Sequence, residues 1–129
     1  MKRCIILLIM SLLPLARAEA QYYDTGQDPA SLRWLQIRTP HFRVIYPDDF
    51  GSEASRYARL LEESFGRLSV LYPGVKTTIP VIIHNHSMQS NGYVSWAPRR
   101  MELYPLPGQD NLPMHPAAQL AVHETAHVL

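Results

Sequence analysis

The stretch that most restricts this chain is Ala121-Val122-His123-Glu124-Thr125-Ala126-His127-Val128-Leu129. In a helix, residues four apart lie one above the other on the same face, so His123 and His127 can offer imidazole nitrogens to a single metal ion. Glu124, one position beyond the first histidine, is placed to act as general base toward a water that the metal activates, rather than as a ligand. The spacing therefore predicts a helix. Leu120, Ala121, Val122, Val128 and Leu129 make its surroundings apolar, which predicts burial in a protein interior. Two histidines and a glutamate buried there need partners, and a metal would supply one. The competing reading is a partly exposed amphipathic helix whose histidines cap or pair with neighbours.

The chain ends two residues after His127 with neither a glycine just past the last turn nor a nearby proline, the usual helix stop signals. The expectation is that this is the front part of a longer protein. A catalytic zinc site takes three protein ligands and leaves one position open. Only two are visible here, so the site is expected to be incomplete and the fragment inactive alone.

The first twenty residues read as a secretory signal peptide rather than as fold. Lys2 and Arg3 form a positive start, Cys4 to Leu15 an apolar run broken by Ser11 and Pro14, and Ala16-Arg17-Ala18 or Ala18-Glu19-Ala20 a small-residue cleavage site. The run is short for a membrane span and polar sequence follows at once, so no stable span is expected after cleavage. Export predicts a periplasmic or extracellular, cell-envelope location. Cleavage removes three of the 12 basic and one of the 11 acidic residues, leaving a nearly neutral chain with no basic stripe and hence no nucleic-acid signal. Cys4 is the only cysteine and leaves with the signal, so no internal disulfide can form.

Residues 21–30 are polar, with Gly26 and Pro29, and read as a lead-in to a domain over 31–129. Trp34 to Arg38 and His41 to Tyr46 are rich in strand formers, with Thr39-Pro40 as a break, which predicts two strands or one interrupted strand. Asp48 to Ser52 supplies helix N-cap candidates. Ala54, Tyr57, Ala58, Leu61, Phe65, Leu68 and Tyr72 then recur at three- and four-residue steps, predicting a long packing helix to about Tyr72. Thr77 to His84 is expected to be a strand buried on both faces through Val81, Ile82 and Ile83, with Pro80 near its start or on an accessible edge. His84-Asn85-His86 has metal-ligand spacing if that strand continues, a weak signal by itself. Asn91-Gly92 reads as a turn, and Arg99 to Tyr104 as a proline-bounded edge strand able to pair with an extended peptide. Gln109 to Met114 is expected to be a loop, and His115-Pro116 a helix entry.

This order of strand, long helix, strand, edge strand and His-Glu-x-x-His helix resembles the amino-terminal half of a gluzincin-type zinc metallopeptidase. More narrowly, the chain is similar to the peptidase MA-like domain of large secreted bacterial proteins. Trp34 to Tyr46, Val81 to Ser87, Asn91-Gly92, Ala97 to Leu103 and the metal helix carry the match. The resemblance implies an α/β, zincin-like α+β fold with a small mixed sheet, one long packing helix, an edge strand and a metal-binding helix. It also implies Zn2+ held by His123 and His127, Glu124 as general base and proton shuttle, and a peptide or protein substrate. The third ligand of gluzincins is a glutamate on a later helix, and no residue here corresponds to it. Many relatives carry a bulky or basic residue directly before the second histidine. Ala126 stands there in this chain, a departure that bears on the cleft wall and not on the ligands. Two alternatives remain open at this point: a secreted binding or scaffold domain that keeps a peptidase fold without turnover, and a metal module that adds His84 or His86 to the helix pair.

Overall fold

The computed structural model describes residues 28–74, 76, 78–87, 89–105 and 113–129. The signal-peptide reading of residues 1–20, most of the lead-in and most of the Gln109 to Met114 loop fall outside them. The described residues form a mixed five-stranded sheet with two helices: β1 (Trp34–Arg38), β2 (Phe42–Pro47), α1 (Gly51–Leu68), β3 (Ile79–Ile83), β4 (Asn91–Trp96), β5 (Arg99–Tyr104) and α2 (Pro116–Val128). The strand order is β1-β2-β3-β5-β4; β2, β3 and β5 run parallel, and β1 and β4 are antiparallel edges. Among the described residues no helix is long and apolar enough to cross a membrane.

Thr39-Pro40 breaks one run into two paired strands. Thr39 N donates to Phe42 O at 2.9 Å, and the Thr39 hydroxyl takes the place of a main-chain acceptor for Phe42 N at 3.1 Å. Strand alternation then sends Phe42, Val44 and Tyr46 to one buried face, where Ile79, Val81, Ile83, Met101 and Leu103 join them. Both helices cover this face. The stripe on α1 supplies Ala54, Tyr57, Ala58, Leu61 and Phe65, and α2 supplies Ala117, Ala121 and Val128, so a single core lies between sheet and helices.

Several sequence expectations are corrected. No side chain caps α1; a 3-10 turn over Asp48–Phe50 leads into it, because Asp49 instead accepts from Asn85 Nδ2 at 3.2 Å and faces His86. The helix stops at Leu68, and Val70, Leu71 and Tyr72 are exposed, so Tyr72 does not belong to the packed stripe. Burial of β3 is one-sided: Ile79, Val81 and Ile83 are fully buried while Pro80 and Ile82 are half-buried, since both helices lie on the same face of the sheet. Asn91-Gly92 is not a turn but the start of β4, and the β4–β5 reversal falls at Ala97-Pro98, whose peptide bond is cis. Arg99 to Tyr104 is not an edge. It lies between β3 and β4, which gives it neighbours on both sides and buries Met101, Glu102, Leu103 and Tyr104.

His41, at the start of β2, is fastened to α1. Its main-chain N donates to Glu62 Oε1 at 2.8 Å, its Nδ1 lies 2.7 Å from Oε2, and its ring stacks on Phe65 at 3.9 Å. Partial burial pushes the Glu62 carboxyl up, but hydrogen bonds from His41 and Thr39 outweigh this and hold it below its ordinary value of 4.5. A depressed carboxyl contributes stability above the unfolded value and loses it as pH falls through the folded one. Glu62→Gln should therefore cost about 1 kcal/mol at pH 7. The deficit should shrink as pH is lowered below 4.5, as measured by denaturant unfolding of both proteins across pH.

Candidate metal centre

Pro116 opens α2, and His115 is its N-cap, with Nδ1 accepting from Ala117 N at 3.2 Å. Arg56 Nη1 of α1 lies 3.2 Å from the other ring nitrogen of His115, which sets the start of α2 beside α1. From there the 3.6-residue period turns Ala117, Ala121, Glu124, Thr125 and Val128 inward. Val122, His123, Ala126 and His127 are left on the open face. The expectation of a helix buried in the protein interior is met on one face only: of the three motif side chains Glu124 alone is buried, at 2 % exposure.

His123 Nε2 and His127 Nε2 lie 3.1 Å apart, with ring planes at 77°. Two zinc–nitrogen bonds of about 2.0–2.1 Å at a tetrahedral angle would separate the nitrogens by about 3.3 Å, so the pair fits one ion with little adjustment. The same separation also suits a single N–H···N hydrogen bond between neutral rings. Among the described residues, no third histidine, cysteine or carboxylate joins them in a metal-sized group.

Glu124 runs inward beneath β4. A Cβ built on Gly92 would meet Glu124 Oε1 at 2.7 Å and Cγ and Cδ at 2.9 Å, so the carboxylate occupies the space that any other residue would fill. Glu124 Oε2 and Thr125 Oγ1 are buried without a hydrogen-bond partner. Burial pushes the Glu124 carboxyl above its ordinary value, against the opposing pull of His123 and His127. An orphaned carboxylate oxygen is costly in a finished interior, and it is the group that needs a water or a metal-held ligand beside it.

Gly92, Tyr93, Val94 and Trp96 of β4 and His123, Glu124 and His127 of α2 line an open cleft of about 350 Å³. Gly92, Val94 and Trp96 are in register with Leu103, Met101 and Arg99 and so face α2. The edge strand beside α2 is therefore β4 and not the Arg99 to Tyr104 strand. The Asn91-Gly92 dipeptide imitates a turn and so conceals these cleft residues in the sequence. The alternation of Gly92, Val94 and Trp96 was the available signal.

His84 and His86 do not approach the helix pair. The strand stops at Ile83, and beyond it the two histidines part. His84 lies 13 % exposed on the far face, stacked on Tyr104, with Nδ1 2.5 Å from Asp28 Oδ2 and Nε2 3.3 Å from Glu102 Oε2. His86 Nε2 is 2.8 Å from Asp49 Oδ2. Glu102 also accepts from Arg100 Nε at 2.5 Å. Burial raises its carboxyl, but the Tyr93 hydroxyl, Arg100 and His84 together hold it below the ordinary range. Tyr93 is in turn pushed up to about 12 by burial and by its hydrogen bond to Glu102.

No protein-family model matches this chain, and no curated protein or solved structure does either. The geometry alone carries the functional reading.

Gly92→Ala should leave the fold intact, changing stability by less than about 1 kcal/mol, because the gain from replacing a strand glycine opposes the cost of moving a flexible side chain. It should displace Glu124. The side-chain carboxyl 13C resonance of Glu124 is the measurement, and an unmoved resonance would show that the contact does not hold the carboxylate.

Proposed function

We propose that the intact protein is a zinc-dependent peptide hydrolase of the gluzincin kind, acting outside the cytoplasm on a peptide or protein substrate. The observation that supports this most is the combination, on one turn of α2, of two imidazole nitrogens 3.1 Å apart on the open face and a buried carboxylate with an unpartnered oxygen. His123 and His127 would hold the ion, with the third protein ligand coming from outside the described residues. Zinc, when bound, supplies Lewis-acid activation of water and of the scissile carbonyl.

The remaining chemistry belongs to the chain. Glu124, held against Gly92, takes the proton of the attacking water and delivers it to the departing amine. Its raised carboxyl suits both halves of that transfer. Val94 and the solvent-exposed Trp96 line the cleft beside the reacting groups, an apolar surface against which a substrate side chain can pack. A non-catalytic peptide-binding domain is the second reading. It rests on the same open cleft between β4 and α2, which can receive an extended peptide without turnover.

Three substitutions separate these readings. Glu124→Gln in the intact protein should retain zinc and lose hydrolysis by about 100-fold or more, followed by metal analysis and cleavage of a quenched peptide library. Hydrolysis at the normal rate would remove Glu124 from the mechanism. His123→Ala and His127→Ala should each abolish the visible absorption of bound Co2+, whereas the binding-domain reading predicts peptide binding indifferent to chelator and to both substitutions.

A further inference from the structure

The sheet face turned away from α2 carries a second concavity, at the opposite edge from the cleft. Arg38 at the end of β1, Thr39 in the reversal, Arg43 in β2 and Thr78 just before β3 line a hollow of about 270 Å³. Arg38 and Arg43 are partners in the β1–β2 register. Because Thr39 and Phe42 form the hydrogen-bonded pair that closes the reversal, ladder alternation makes Arg38 and Arg43 a non-hydrogen-bonded pair, the position where facing side chains come closest. Like charges placed directly opposite in this way repel.

Neither guanidinium has a carboxylate partner among the described residues. By contrast, Arg33 is paired with Asp48, Arg56 with Glu53, Arg67 with Glu63 and Arg100 with Glu102. Glu62, whose carboxylate lies by the start of β2, is committed to His41 through both oxygens. Two arginines and Thr78 therefore line a recess, and among the described residues no carboxylate pairs with either arginine. A guanidinium fork matches the spacing of oxygens on a carboxylate or phosphate. Two forks carry a charge that a single carboxylate balances by half and a phosphate monoester, at −1.5 to −2, balances nearly in full.

We propose that the Arg38–Arg43 hollow is a binding site for a phosphate monoester dianion, separate from the His123–Glu124–His127 cleft and on the other face of the sheet. The site is independent of the hydrolase reading. Its ligand is inorganic phosphate itself or a small organic molecule bearing a terminal phosphate.

The test is titration of the full chain with inorganic phosphate and, separately, with glucose 6-phosphate, followed through the arginine Nε–Hε NMR resonances. Saturable shifts of Arg38 and Arg43 at millimolar concentration or below are expected with both probes, which should compete; acetate should bind at least about tenfold more weakly. Tighter binding of the sugar phosphate would assign the hollow to an organic ester, and equal or weaker binding to the free anion. Arg38→Gln and Arg43→Gln should each weaken phosphate at least about tenfold while leaving the Tm of the unliganded protein unchanged or raised, through relief of repulsion. Shifts that fail to saturate by about 50 mM, or that persist in the double variant, overturn the proposal. So does a fall in unliganded Tm on Arg43→Gln, which would show that the pair is already neutralised within the chain.

Discussion

One apolar sheet face, covered by two helices, is the constraint from which the rest follows. Phe42, Val44, Ile79, Val81, Ile83, Met101 and Leu103 are fully buried there, and Leu61, Ala54 and Ala121 meet them from above. Each large aliphatic or aromatic side chain removed from water contributes about 1.5–3 kcal/mol, which is what fixes the helices over the sheet against the entropy of ordering them. With both helices on one side, the other side of β3 stays half open, and polar groups can collect on it.

The same packing explains why a carboxylate lies inside. Helix α2 must present Ala117, Ala121 and Val128 to the core, and its period then brings Glu124 inward while His123 and His127 look out. Glu124 is admitted because Gly92 leaves room for it in the neighbouring edge strand. Burial without a hydrogen-bond partner for Oε2 is tolerable in a molecule of marginal stability only when packing elsewhere compensates, and such local cost is characteristic of reactive sites. The cleft is thus a consequence of where β4 lies relative to α2.

Charge is distributed by face. Asp28, His84, Glu102, Arg100 and Tyr93 form a linked polar group on the side away from the helices, in which His84 is placed between two carboxylates through its two ring nitrogens. At the β1–β2 reversal no carboxylate among the described residues pairs with Arg38 or Arg43, and the two ends of the open face therefore differ in electrostatic character.

Local pattern in the sequence determined the elements that depend on periodicity. The alternation of Phe42, Val44 and Tyr46, the stripe from Ala54 to Phe65, and the helical spacing of His123 and His127 were legible because burial on one face writes itself into every second or every third and fourth residue. The mixed α/β character follows from the same signals. Order and proximity were decided only by the tertiary structure. Whether Arg99 to Tyr104 was edge or interior depended on a strand contributed by Asn91 to Trp96, whose Asn-Gly opening imitates a turn. The apparent metal spacing of His84 and His86 dissolved because the strand ends at Ile83 and distant carboxylates at 28, 49 and 102 claim the two rings. The absence of a side chain at Gly92 acquires meaning only when Glu124, 32 positions away, is brought against it. Contacts between residues far apart in the chain leave no period in a single sequence, so the partners of Glu124, His84 and Arg43 could be known only after the chain had folded.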